Sequence, residues 1–157
     1  MTYSRRKALK VKFELLAEGA LLPRQKSDPW PVLKAKLDKA FSELVRRTYA
    51  DDCGFSKCIT CGMVGHWKDF DCGHFVDRDQ IPTRWDIENC RPQCEAENRF
   101  KSGKRYEFGR ALNAENPGSA DRLILRGKEN PELIRMQAPQ LLLEIREKLK
   151  IQRKRFR

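Results

Sequence analysis

Cys58-Ile59-Thr60-Cys61-Gly62, Phe70-Asp71-Cys72-Gly73-His74-Phe75 and Asn89-Cys90-Arg91-Pro92-Gln93-Cys94-Glu95-Ala96-Glu97-Asn98 together hold five of the chain's six cysteines and one of its two histidines. The first stretch reads as a tight turn carrying two thiols. Two thiolates at CxxC spacing suit a tetrahedral zinc ion. A redox pair shares that spacing, but it belongs at a helix N-terminus. Here the motif lies between a helix-like and a strand-like segment and runs into glycine, which favours zinc. Cys94 is the natural third ligand. The fourth stays open between Cys90, which offers a thiolate at spacing four, and Glu97, which offers a carboxylate at the CxxC spacing. Zinc accepts both donor types. Cys72 reads as a small buried side chain, and Cys53 and His66 receive no role.

Working outward, Asp69 to Val76 predicts a strand, with Phe70, Cys72, His74 and Val76 on one side and Asp71, Gly73 and Phe75 on the other. His74 falls between the two halves of the expected zinc site. A neutral imidazole is the natural general base near neutral pH. Asp71 or the amide oxygen of Asn98 could hold a hard divalent cation such as Mg²⁺. Upstream, Ser27-Asp28-Pro29 marks a helix start. Leu33, Leu37, Ala40, Phe41, Leu44 and Val45 then recur at three and four, predicting a helix from Pro29 to Ala50. Downstream, short helices are expected over Glu95–Lys101, Lys104–Leu112 and Ser119–Arg126. Pro131 and Pro139 punctuate the approach to a last amphipathic helix marked by Leu141, Leu142, Ile145 and Leu149.

The chain has 157 residues, enough for one modest core. Its net charge of +11 is concentrated at the ends. Residues 1–26 carry +5, residues 146–157 carry +6, and the stretch between them is neutral. Basic arms on a neutral domain suit a polyanion such as nucleic acid, or serve as solubilising tails. Within the middle, residues 69–97 carry −5 and residues 98–110 carry +4, an acidic site beside a basic surface. No apolar run is long enough for a membrane span and none follows the N-terminus as a secretory signal would require. The expected location is therefore cytoplasmic, where cysteines more often bind metal than form bridges. The expected organisation is a basic arm over 1–26 with a helix from Arg6 to Ala20, a zinc-containing domain over 27–113, and a helical extension with a basic tail over 114–157.

Cys58-Ile-Thr-Cys61-Gly, Phe70-Asp-Cys-Gly-His74-Phe, Arg84-Trp-Asp-Ile-Glu-Asn89, Gln93-Cys94, Asn98 and Lys101-Ser-Gly103, in this order and spacing, resemble the phage NinG (Rap) recombination proteins, members of the HNH or ββα-metal nucleases. The resemblance spans about Pro29 to Asn113. It implies an α+β, ββα-metal fold stabilised by structural zinc, and Mg²⁺- or Mn²⁺-dependent cleavage of branched DNA in the host cell cytoplasm. By position it makes His74 the base, Asn89 the residue that orients it, and Asn98 and Asp71 the neighbours of the catalytic metal. Cys58, Cys61 and Cys94 match three zinc ligands. The family's fourth cysteine falls on Glu97, and its usually apolar residue after the loop asparagine is Cys90. Lys101, Lys104 and Arg105 would grip flanking phosphates, with Arg153, Lys154 and Arg155 of the tail adding contacts. Two-strand cleavage often uses a dimer, which makes a homodimer the oligomer to test. A non-catalytic zinc-stabilised DNA-binding module is the alternative. The joint presence of Asp71, His74, Asn89 and Asn98 favours the enzyme.

Overall fold

The computed structural model describes residues 28–155, so the arm at 1–26 and its expected helix lie outside the described residues. Helix α1 spans Trp30–Thr48. No side chain caps its start. Instead the Pro29 carbonyl accepts the Val32 and Leu33 amides at 2.9 and 3.0 Å, while Asp28 pairs with Lys36 at 2.7 Å. Pro31 is tolerated in the first turn because its missing N–H would have no partner there. Leu33, Leu37, Phe41, Leu44 and Val45 form the buried face expected from their spacing.

That face packs on the last helix, α5, through Ala138, Leu142, Ile145 and Leu149. Helix α5 runs unbroken over Pro131–Arg155 with Pro139 inside it. An internal proline costs about 3 kcal/mol. Burying each large apolar side chain of the seam recovers roughly 1.5–3 kcal/mol, so packing overrides the expected break. The segment expected as an extension thus shares the core of α1, and its basic end is not a loose arm. Arg153 donates to Glu43 at 2.9 and 2.6 Å, and Arg155 donates to Asp52 at 2.7 Å. The Arg153 hydrogen bond, outweighing burial, holds the Glu43 carboxyl below its ordinary pKa.

Two antiparallel hairpins lie between these helices. Strands β1 (Phe55–Lys57) and β2 (Val64–His66) carry the Cys58–Gly62 turn at their tip. Strand β3 is Phe70–His74, shorter at both ends than expected, and pairs with β4, Cys90–Cys94. Their register sets Phe70 opposite Cys94 and His74 opposite Cys90. One wide helical turn, Ala96–Phe100, follows β4. Lys104 adopts a left-handed backbone (φ 50°), so helix α3 begins at Arg105 and runs to Glu115. Helix α4 covers Ser119–Arg126 as expected. Phe75, Val76, Phe108, Leu112, Ala120 and Leu123 form a second core under these two helices. Gly109 is required there, because a Cβ would stand 2.9 Å from the Phe75 ring. The architecture is therefore α+β. Among the described residues no helix is long and apolar enough to cross a membrane.

The connection from Phe75 to Asn89 contains a short helix, α2 (Ile81–Arg84), and is pinned from two sides. Asn89, fully buried, accepts the Val76 amide at 2.8 Å and donates to the Val76 and Thr83 carbonyls at 3.0 Å each. From α1, Asp38 accepts two hydrogen bonds from Arg84, at 2.8 and 2.7 Å, and one from Trp85 Nε1 at 2.9 Å. Burial opposes ionisation of Asp38, but Arg84, Trp85 and Arg78 outweigh it and hold the carboxyl below its ordinary pKa. Asp38→Asn should cost about 3 kcal/mol, because it leaves the buried Arg84 guanidinium without its counter-charge. The folded pKa of Asp38 is depressed, so its contribution is complete above the unfolded value of about 3.9 and is lost as pH falls through the folded value. Urea unfolding of the two proteins from pH 7 to pH 3 should therefore show their difference shrinking below pH 4.

Candidate metal centre and the adjoining cleft

The Cys58–Gly62 turn is built by the Gly62 amide donating to the Cys58 carbonyl at 3.0 Å and the Cys58 amide to Met63 at 2.8 Å. Gly62 has φ 78°, where a side chain would be strained. The register of β3 and β4 brings Cys94 to this turn. Cys58, Cys61 and Cys94 present their sulfurs within 4.8 Å of one another. The Cys61 and Cys94 sulfurs are 3.8 Å apart. A tetrahedron with Zn–S near 2.3 Å has an edge of about 3.8 Å, so these thiols could hold a metal ion such as zinc.

The site favours a thiolate at one position. Burial pushes the Cys58 thiol up, but hydrogen bonds from Thr60 and the backbone amides of Cys94, Cys61 and Thr60 bring it down to about 7. At Cys61 the Met63 amide works downward, yet burial and the neighbouring thiols prevail and push it up to about 11. A bound divalent cation supplies the charge that makes all three thiolates compatible.

Neither expected fourth ligand reaches this cluster. Cys90 and Cys94 share a face of β4, but four residues of strand put them about 13 Å apart, too far for one ion. Cys90 joins Cys72 and His74 instead, in a second group whose ligand atoms also lie within 4.8 Å. Glu97 is buried, and its carboxylate accepts a hydrogen bond from Lys101 at 2.8 Å, one helical turn away. Lys101, expected on DNA, is thus turned toward the metal end of the domain. Lys104 pairs with Glu107 at 3.3 Å and Arg105 with Asp77 at 3.7 Å.

A cleft of about 180 Å³ lies against the β3 side of the hairpin. Its wall includes Asp71, His74 and Asn98, three of the four expected catalytic residues. Asp71 was expected on the opposite side of β3 from His74. Its carboxylate is drawn to the cleft by Asn98, which donates at 3.0 Å, and by Arg99, which donates at 2.9 and 3.0 Å. Burial disfavours the Asp71 carboxylate, but Arg99 and Asn98 outweigh it and hold its pKa below the usual range. Asp38, Arg78, Arg84 and Arg99 complete the charged wall, three guanidinium groups against two carboxylates.

The His74 ring is held between two backbone carbonyls, with Nδ1 3.1 Å from Cys72 O and Nε2 3.0 Å from Arg84 O. Burial lowers its pKa from the ordinary value, and the Arg84 and Cys72 carbonyls only partly restore it. A neutral imidazole has one N–H, so one nitrogen points a lone pair at a carbonyl oxygen. Asn89 makes its side-chain hydrogen bonds to Val76 and Thr83, not to His74. It braces Thr83, and thereby the Arg84 carbonyl on which the ring rests. On the far face Gly73 has no room for a side chain, since a Cβ would meet the buried Gln93 side chain at 2.5 Å.

Asp38, Arg78 and Arg99 were not singled out from the sequence. Asp38 carried a signal, a charge beside Leu37 on the apolar seam of a helix. Arg78 and Arg99 sit in charged stretches with nothing to mark them.

Cys94→Ser should lose one equivalent of zinc per chain relative to the wild type and unfold the knuckle, because structural zinc supplies folding free energy. Elemental analysis and near-ultraviolet circular dichroism of the full chain check this. Glu97→Gln should retain the metal, because the Glu97 carboxylate is held by Lys101 and lies outside the thiol cluster.

No curated protein and no solved structure matches the chain. A family model does: residues 23–155 match the one described as bacteriophage lambda NinG protein. That match covers the metal knuckle, the cleft and both long helices, and the chain belongs to the NinG family.

Proposed function

We propose that this protein is a divalent-metal-dependent DNA endonuclease of the HNH, or ββα-metal, class that hydrolyses phosphodiester bonds in branched recombination intermediates. The observation that carries this is the convergence of Asp71, His74 and Asn98 on one cleft whose remaining wall is rich in guanidinium groups. A hairpin followed by a helical turn, with thiols at one end, supports it further.

The residues fit a hard cation. Asp71 supplies a carboxylate, and half a turn of the Asn98 amide brings its oxygen to the same place. One carboxylate with further oxygen donors is the set Mg²⁺ accepts, alongside water and substrate phosphate. Such an ion, when bound, polarises the phosphate and stabilises the leaving oxygen. His74 takes the proton of the attacking water on the ring nitrogen that carries the lone pair, which requires that nitrogen to exchange its carbonyl neighbour for the water. The new O–P bond forms as the 3′ oxygen departs. Arg78 and Arg99, each more than half exposed, can hold the flanking phosphate oxygens. Arg99 must then exchange Asp71 for phosphate. Surface pairs such as Lys104–Glu107 and Arg105–Asp77 contribute little, so those cations are open to a nucleic-acid backbone at small cost.

A zinc-stabilised DNA-binding module without catalysis is favoured by one arrangement. Arg99 occupies both Asp71 oxygens, and both His74 nitrogens face carbonyls. Labelled branched and linear DNAs incubated with Mg²⁺ or Mn²⁺, and with chelator, separate the two. Metal-dependent cutting of branched DNA is expected, and His74→Ala should reduce it about 10²–10⁴-fold while DNA binding persists. Binding with no cutting under any divalent metal would leave the module.

A further inference from the structure

Two members of the second cluster, Cys72 and Cys90, have no part in the chemistry above. Cys72, His74 and Cys90 bring two thiols and an imidazole nitrogen within 4.8 Å of one another, with Cys72 and His74 lining the cleft and Cys90 in the core. Cys90 is fully buried, Cys72 partly so and on the cleft wall, which gives a path of entry. Register argues against a disulfide. Cys72 faces Pro92 and His74 faces Cys90, so the two cysteines are diagonal partners. Diagonal residues of an antiparallel pair lie about 7–8 Å apart at Cα, beyond the roughly 7 Å a bridge tolerates.

The histidine adds a nitrogen donor to the two thiols. One ring nitrogen would bind the ion in exchange for its carbonyl contact. The other nitrogen keeps its N–H on a carbonyl, which is the usual support for a ligating histidine. Thiols and imidazole select a soft or borderline ion over Mg²⁺. Three protein ligands leave a fourth position open, here toward the cleft.

We propose that Cys72, His74 and Cys90 form a second, inhibitory metal site that takes Zn²⁺ and withdraws His74 from proton transfer. The inhibitory part rests on the endonuclease proposal; the metal site does not. Binding releases the thiol protons to solvent and forms two S–Zn bonds and one N–Zn bond, with no change of oxidation state.

The test uses the full-length chain, loaded with zinc and then gel-filtered, as wild type, Cys72→Ala and Cys72→Ser. About two zinc ions per wild-type chain and about one per variant are expected. Co²⁺ loading should show the thiolate absorption falling in step. The zinc retained at Cys58, Cys61 and Cys94 reports that each variant is folded, and the serine variant keeps the side-chain size. In the cleavage assay, one equivalent of Zn²⁺ beyond the structural ion should slow the wild type by about 10²-fold or more and leave Cys72→Ala at its basal rate. Equal zinc content in wild type and both variants would overturn the site. A filled second site with unchanged cleavage would overturn inhibition. If the chain cuts no DNA at all, the metal count still decides the site, so failure of the endonuclease proposal reads differently from failure of this one.

Discussion

The register between β3 and β4 is the constraint on which the rest depends. Pairing Phe70 with Cys94 carries Cys94 to the Cys58–Gly62 turn and completes a three-thiol cluster at one end of the hairpin. The same register pairs His74 with Cys90 at the other end, beside the cleft. A slip of one residue would turn every side chain to the other face. It would separate the thiols and remove His74 from the cleft together. Gly73 and Gln93 guard that register sterically, because only a residue without Cβ fits against the buried glutamine.

The hairpin cannot hold the cleft alone. Its strands are joined by a long polar connection, and two polar residues, Asn89 buried and Asp38 partly buried, keep that connection in place. Asn89 ties the start of the connection to its end through Val76 and Thr83. Asp38 ties it to α1 through Arg84 and Trp85. The consequence reaches His74, since the Arg84 carbonyl supports its ring. Core helix, loop and imidazole are therefore linked by one chain of hydrogen bonds. Helix α5 adds the second half of the core to α1, and Arg153 and Arg155 latch its end to Glu43 and Asp52.

The chain separates soft donors from hard ones. Thiols sit at the knuckle and beside the cleft, whereas Asp71 and Asn98 line the cleft with oxygen donors and Arg99 stands between them and solvent. Metal preference follows donor type, so the two donor sets would select different ions. His74 belongs to the second thiol cluster and lines the same cleft as Asp71 and Asn98.

Local pattern was enough to read the buried face of α1, the CxxC knuckle with Cys94, the strand through His74, and α4, because each rests on periodicity or on spacing within a few residues. The order of motifs sufficed to place the chain in its family. What the sequence could not carry were distances between segments. Cys90 and Glu97 looked like alternatives for one ion until strand length separated Cys90 from Cys94 and Lys101 took the Glu97 carboxylate. Pro139 looked like a break until the seam with α1 made continuing the helix the lower-energy choice. The basic C-terminal residues looked like a free arm until Glu43 and Asp52, remote in sequence, came beside them. Asp38 became a residue of the cleft only through its approach to Arg84. Sequence alone determined the secondary structure with local causes and the kinds of ligand available. Tertiary structure decided which ligands meet, because that depends on strand register and helix packing between residues far apart in the chain.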